Sequence, residues 1–172
     1  EYPFPFGVDE LYGLAYRTDF DLMNHSRTSG KPIAYKDPVS GETFVPHVIE
    51  PSFGVDRTVL AVLLSAYHEE EAPTGEGGVE TRVVLRLSSV LAPIKVAILP
   101  LSKKDELASV AKPLAEHLAK QWRVEYDETQ SIGKRYRRQD EIGTPLCVTV
   151  DFETLDDHAV TVRDRDTMKQ ER

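Results

Sequence analysis

EPSFGVDR, residues 50–57, runs without a break into TVLAVLLSAY, residues 58–67. Residues 45–49 (VPHVI) predict a strand entering this segment, and the apolar run predicts a buried helix leaving it. At the junction stand a carboxylate (Glu50), a hydroxyl (Ser52), a glycine turn (Gly54) and an arginine (Arg57). A helix N-terminus is already positive, so an arginine in the first turn is electrostatically misplaced. It fits if an anion such as a polyphosphate is shared between the helix end and the guanidinium. The plainer alternative is a strand-to-helix turn in which Arg57 pairs with Glu50 or Asp56. No phosphate-binding loop of the G-x-x-x-x-G-K-[ST] kind and no G-x-G-x-x-G occurs, so a nucleotide must be held by other means.

The 172 residues suffice for one large domain or two small ones. With 40% hydrophobic and 29% charged residues the chain reads as an ordinary globular protein. No apolar run approaches the roughly 18–20 residues of a membrane span, so no membrane partner is expected. The opening EYPFPFG lacks a basic region followed by an apolar core and does not begin with Met, which suggests a fragment without a signal peptide. The single Cys147 agrees with a reducing, cytoplasmic compartment, and its place in LCVTVDF predicts a buried structural thiol. Net charge is −8, against indiscriminate nucleic-acid binding. Residues 1–92 hold 7 basic and 14 acidic residues, and residues 93–172 hold 14 and 15, so the second half is electrostatically distinct.

Residues 69–81, EEEAPTGEGGVET, predict a mobile acidic and glycine-rich loop. Residues 82–87 then predict a short strand, and Ala92-Pro93 the joint between domains 1–91 and 92–172. Upstream, alternation of Leu11, Leu14 and Tyr16 predicts a strand within residues 10–22, with Asp19 and Asp21 on one face where they could hold a cation. A hairpin is expected around Ser40-Gly41. The first half is thus mostly antiparallel with one buried helix. The second half alternates strand and helix: strand 95–99, a helix with Leu107, Val110, Ala111, Leu114 and Leu118 at helical spacing, strand 124–126, helix 131–142 closed by Gly143, and strands 146–152 and 159–163. Ser102 or Asp105 would cap the first helix, and Pro113 should kink or split it. Thr167 with Gln170 suggests a capping box opening a last, truncated helix. Such alternation means a small α/β domain with a mainly parallel sheet.

A third cluster is IGKRYRRQDEIG, residues 132–143. Lys134, Arg135, Arg137 and Arg138 surround Tyr136 and offer phosphates a broad positive patch with a ring for base stacking. Neutralisation by Asp140 and Glu141 at helical spacing is the alternative. Residues 163–166 (RDRD) form another charge cluster. None of the five histidines has metal-ligand spacing with another or with Cys147.

Three segments together resemble one family. VPHVIEPSFGVDR, ELYGLAYRTDFDL and IGKRYRRQDEIGTPLCVTVDFETLDDHAVTVRDRDTMKQ are similar to the C-terminal part of the dimeric glycyl-tRNA synthetases, class II aminoacyl-tRNA synthetases. The resemblance covers nearly the whole chain, and its first segment is the family's form of class II motif 3. It implies an α+β piece followed by an α/β piece: the end of an antiparallel catalytic domain (1–91), then an anticodon-binding domain (92–172). It further implies ATP-dependent activation of glycine and transfer to its tRNA in translation, by a homodimer using ATP and Mg²⁺. Arg57 would hold the γ-phosphate of ATP. Glu50 would bind Mg²⁺ or the substrates. Glu10, Glu50, Ser52 and Gly54 would form the glycine site, and Glu10, Leu11, Gly54, Val55, Asp56 and Arg57 would border ATP. A tight acidic pocket with no room for a Cβ would select glycine. Lys134, Arg135, Arg137, Arg138, Arg163 and Arg165 would face the anticodon loop. Tyr16 departs from the family, which carries a smaller polar residue there. Motifs 1 and 2 are absent, so the chain by itself should be inactive. Two other readings stand beside this one. The first is a noncatalytic nucleic-acid-binding paralogue, such as the accessory subunit of mitochondrial DNA polymerase. The second is an acidic α/β interaction module.

Overall fold

The computed structural model describes residues 1–73 and 77–172. By packing the chain divides into two compact units, residues 1–61 and 62–172.

In the first unit, β1 (Tyr2–Phe4) and β2 (Gly7–Asp9) form an antiparallel hairpin. β3 (Tyr12–Thr18) leads into α1 (Phe20–Ser29), which Gly30 ends at φ +70°. The short strands β4 (Tyr35–Lys36) and β5 (Thr43–Phe44) pair antiparallel across Gly41, so the hairpin expected there is present. β6 (Val48–Phe53) then pairs antiparallel with β3, placing Gly13 opposite Ser52 and Ala15 opposite Glu50. Helix α2 (Val55–Ala66) follows after a single residue. The sequence expectation for residues 10–22 is corrected here. Asp19 precedes α1 and Asp21 lies in its first turn, so they do not share a strand face. The β3–β6 ribbon exposes Leu14, Tyr16, Ile49 and Phe53.

In the second unit, β7 (Tyr67–Pro73) and β8 (Val79–Leu85) form an antiparallel hairpin running from Tyr67 opposite Leu85 to Pro73 opposite Val79. The mobile loop expected over residues 69–81 is therefore mostly strand, while its residues 74–76 lie outside the described residues. The acidic run is ordered because its charge is met: Glu70 pairs with Arg82 and with Arg86, the latter at 2.5 Å. Ala72, Arg82 and Val84 are buried.

The rest of this unit consists of β9 (Val96–Pro100), α3 (Asp105–Leu118), β10 (Val124–Tyr126), α4 (Ile132–Ile142), β11 (Leu146–Val150), α5 (Thr154–Asp157), β12 (Thr161–Asp164) and β13 (Gln170–Glu171). Five strands make one sheet in the order β10-β9-β11-β12-β13. β9 is parallel to β10 and β11, while β12 runs antiparallel to β11 and to β13. The sheet is thus mixed, with a parallel half and an antiparallel half, rather than mainly parallel. Since β10 and β11 lie on opposite sides of β9, the two crossover helices fall on opposite faces. Alternation along the strands serves both. Ile98, Val148 and Val150 pack with Leu107 and Ala111 of α3, while Ala97, Leu99 and Cys147 pack with Ile132 and Tyr136 of α4. Burial pushes the Cys147 thiol up to about 12, so it is inert packing.

Two local expectations are corrected. Helix α3 runs unbroken through Pro113, and Lys104 rather than Ser102 or Asp105 precedes it, without a side-chain cap. The last segment is not a helix. Asp164 Oδ1 accepts both the amide and the hydroxyl of Thr167, at 2.8 and 2.7 Å, which closes a turn and lets β13 return along β12.

Candidate functional site

Two groups of polar residues matter, one in each unit. In the first unit, the end of β2, the link from β2 to β3, the end of β6 and the first turn of α2 surround a cleft of about 410 Å³ lined by Asp9, Glu10, Leu11, Ser52, Phe53, Gly54 and Arg57. Five of the residues singled out from the sequence therefore meet: Glu10, Leu11, Ser52, Gly54 and Arg57. Glu50, Val55 and Asp56 do not line it.

Arg57 is held from several sides. Its Nη2 lies 2.9 Å from Asp9 Oδ2, and its Nη1 donates to the Glu10 carbonyl. Its guanidinium carbon is 5.7 Å from the centre of the Phe4 ring, which itself stacks on Phe6. The expected pairing with Glu50 or Asp56 is thus replaced by one with Asp9, from a hairpin far away in sequence. A hydrogen bond from the Glu10 amide, and then Arg57, hold the Asp9 carboxyl below its ordinary value. Gly54 carries the helix entry: its carbonyl accepts the Thr58 amide at 2.9 Å and the Thr58 hydroxyl at 2.7 Å.

Across the ribbon, Gly13 opens a small space between two groups. A Cβ there would stand 3.2 Å from Glu10 Oε1 and 3.8 Å from Ser52 Cβ. Glu50 shares the face of β6 with Ser52, two residues away. Its Oε2 accepts Arg17 Nε at 2.5 Å, and Arg17 also lies 3.5 Å from Asp21. The Arg17 hydrogen bond holds the Glu50 carboxyl below its ordinary value. Tyr16 hydrogen-bonds His47 Nδ1 beside this pair. Asp9 and Arg17 are the partners that the sequence reading left unassigned. They neighbour Glu10 and Asp19 in the chain, yet nothing in local spacing matches them to Arg57 and Glu50.

In the second unit the basic helix α4 is largely turned inward. Arg135 is fully buried; its Nη1 donates to the carbonyls of Pro100 at 2.5 Å and Asp127 at 3.0 Å, and its Nη2 to Leu101 at 3.2 Å. It braces the carbonyl ends of β9 and β10 and does not face outward. Arg163 and Arg165 are also buried, each 4% exposed. Arg163 forks onto Asp140, at 2.8 and 3.1 Å. Arg165 bonds Gly143 O at 2.8 Å and chelates Asp166. For these three arginines the expected outward contact with an anticodon loop is corrected, because backbone carbonyls and carboxylates already use their donors. Arg137 and Arg138 are half-buried, on Glu80 and Asp127 respectively, while Lys134 is exposed and makes no ion pair among the described residues. The accessible part of the patch is therefore Lys134, Arg137 and Arg138.

Comparison with known proteins places these features. Residues 95–172 match the family model described as "Anticodon binding domain". The chain is 57% identical over 173 residues to the glycine–tRNA ligase of Corynebacterium efficiens, across 99% of this chain and 38% of that protein. It is 57% identical over 175 residues to that of Streptomyces coelicolor (100% and 38%) and 58% over 172 residues to that of Clostridium perfringens (100% and 36%). The chain thus spans less than two-fifths of the length of these curated relatives. Among solved structures, prolyl-tRNA synthetase of Giardia lamblia in complex with prolyl-adenylate matches with a TM-score of 0.64 at 19% identity, over 94% of this chain and 31% of that one. This likeness is one of fold. These matches bear out the resemblance to glycyl-tRNA synthetases read from the sequence.

Proposed function

We propose, from a chain similar along its whole length to glycine–tRNA ligases, that it is the C-terminal part of such an enzyme, a class II aminoacyl-tRNA synthetase. The carrying observation is the 57% identity over 99% of the chain. In this reading residues 1–91 complete a catalytic domain, and residues 92–172 form the domain that binds the anticodon. The full enzyme joins glycine to ATP and passes the glycyl group to its tRNA, as a cytoplasmic homodimer.

The first-unit cleft then holds one wall of the substrate site. Arg57 grips the γ-phosphate, and Asp9 holds the guanidinium in place before ATP arrives. Anionic phosphate at the start of α2 also gains from the helix dipole, which resolves the misplaced arginine. Glu10 and Ser52, meeting over Gly13, suit the ammonium group of glycine, and a substrate Cβ would crowd them. Mg²⁺ fits only as a companion of ATP. Glu50 offers one carboxylate with Arg17 already on Oε2, and no group of three acidic, His or Cys residues among the described residues could hold a metal. Phosphate oxygens and water must supply the remaining ligands. The exposed Leu14, Ile49 and Phe53 on a two-stranded ribbon are the residues that a larger antiparallel sheet would cover. In the second unit, Lys134, Arg137 and Arg138 supply phosphate contacts.

Glycine-dependent ATP–pyrophosphate exchange by the full-length protein tests this reading. Exchange with glycine and none by the 172-residue chain alone is expected. A full-length protein that prefers another amino acid would overturn it.

A further inference from the structure

Arg57 is held by three contacts, and only one of them is charged. Its Nη1 donates to the Glu10 carbonyl, its guanidinium carbon stands 5.7 Å from the centre of the buried Phe4 ring, and its Nη2 donates to Asp9 Oδ2 at 2.9 Å. The carbonyl and the ring orient the guanidinium without any charge of their own. Asp9 is fixed from its other side, where its Oδ1 accepts the Glu10 amide at 2.7 Å. The Arg57 and Asp9 side chains are 41% and 48% exposed, and an ion pair so open to water adds little to folding. A carboxylate beside the guanidinium acts instead on whatever anion binds there.

The charged residues lining the cleft are Asp9, Glu10 and Arg57, two carboxylates against one guanidinium. That balance disfavours a polyanion. Arg57 nevertheless keeps donors for one: of its five N–H groups, Asp9 and the Glu10 carbonyl take one each among the described residues, and the other three remain. With Glu10 assigned to the glycine ammonium, Asp9 is the carboxylate left against the phosphate. We propose that Asp9 is a positioning residue acting through Arg57: it is the counter-ion of the empty site, yields the guanidinium to the γ-phosphate of ATP, and takes it back as pyrophosphate leaves. Asp9 thereby weakens the hold on pyrophosphate and hastens its release. This rests on the reading of Arg57 as the γ-phosphate ligand.

The test uses the full-length protein, unmodified and as Asp9→Asn, Asp9→Ala and Arg57→Ala. Calorimetry gives the dissociation constant of pyrophosphate, and glycine-dependent exchange gives KM for ATP, each at low and at high salt. Asp9→Asn keeps the shape and removes the charge, so both constants should fall about 3- to 10-fold at low salt, with a smaller gap at high salt. A purely structural role for Asp9 would move both constants upward, because Arg57 would lose its place. If Asp9→Asn does not fold, Asp9→Ala decides by the same sign. Constants that rise or stay unchanged in a folded Asp9 variant overturn the proposal. Arg57→Ala should weaken pyrophosphate about tenfold or more. Unchanged pyrophosphate binding in Arg57→Ala overturns the phosphate reading itself, and so is a separate result.

Discussion

Replacing Gly143 by Ala should destabilise the second unit strongly, although it adds one methyl group. Gly143 ends α4 at φ +82°, and its amide and that of Thr144 cap the helix by bonding Asp140 O and Gln139 O at 3.2 and 2.9 Å. An L-residue in that conformation costs about 1–2 kcal/mol. A Cβ there would also stand 2.9 Å from the carbonyl oxygen of Leu85 and 2.9 Å from Leu87 Cδ1. The first is backbone of the β7–β8 hairpin and cannot rotate away, so overpacking adds about 1–3 kcal/mol. Together these give about 2–5 kcal/mol. Gly133→Ala in the same helix is the internal control. Among the described residues it meets nothing within 4 Å, it has no positive φ, and it should stabilise by up to about 1 kcal/mol. Urea unfolding followed by the fluorescence of the single tryptophan, Trp122, reads both in the same unit. A Gly143→Ala unfolding free energy within about 0.5 kcal/mol of that of the unmodified chain would refute the tight approach of hairpin and helix.

Other outcomes follow from the same contacts. Arg57→Ala in the full-length protein should lower glycine-dependent pyrophosphate exchange about 10- to 100-fold through loss of a charge-assisted phosphate contact; unchanged kinetics in ATP would contradict that role. Lys134→Ala should leave stability intact and reduce the salt slope of tRNA binding by about one, whereas Arg135→Ala should cost about 3 kcal/mol or more of folding by stranding three carbonyls and should not act as a simple phosphate contact. Asp164 is held below its ordinary value by the Thr167 amide and then the Thr167 hydroxyl. The unfolded chain therefore takes up that proton first, and the stabilisation is complete above about pH 4 and lost as pH falls through the lower, folded value. Asp164→Asn should be less stable than the unmodified chain at neutral pH, with the gap closing in urea titrations below about pH 4; a gap independent of pH would contradict the hydrogen-bonded turn.

The α/β half was legible because its strands are buried on both faces and its helices carry regular apolar stripes. KVAIL, the Leu107–Ala111–Leu118 spacing and LCVTV map onto β9, α3 and β11. Helix α1 was not legible. FDLMNHSRTS buries no residue and has no apolar face; the Gly30 cap ends it, and local bonds such as Asn24 Nδ2 to Phe20 O at 2.9 Å support it. The β7–β8 hairpin read as a loop because of its acidic run and its glycines, and the arginine partners of Glu70 and Glu80 lie 12 to 57 residues away. In the candidate site, Arg57 stood out by its place in the first turn of a helix, where the dipole is already positive, and its actual partner, Asp9, is 48 residues upstream. The basic helix shows the opposite failure. Composition counts arginines but cannot tell one that caps buried carbonyls, as Arg135 does, from one that meets solvent.

We propose above that this chain is the anticodon-reading end of a glycine–tRNA ligase. Filter binding of a tRNA with a GCC anticodon, against the same tRNA with that anticodon changed, tests it most directly. A preference of about tenfold or more for the GCC form is predicted. Equal affinity for the two would contradict it.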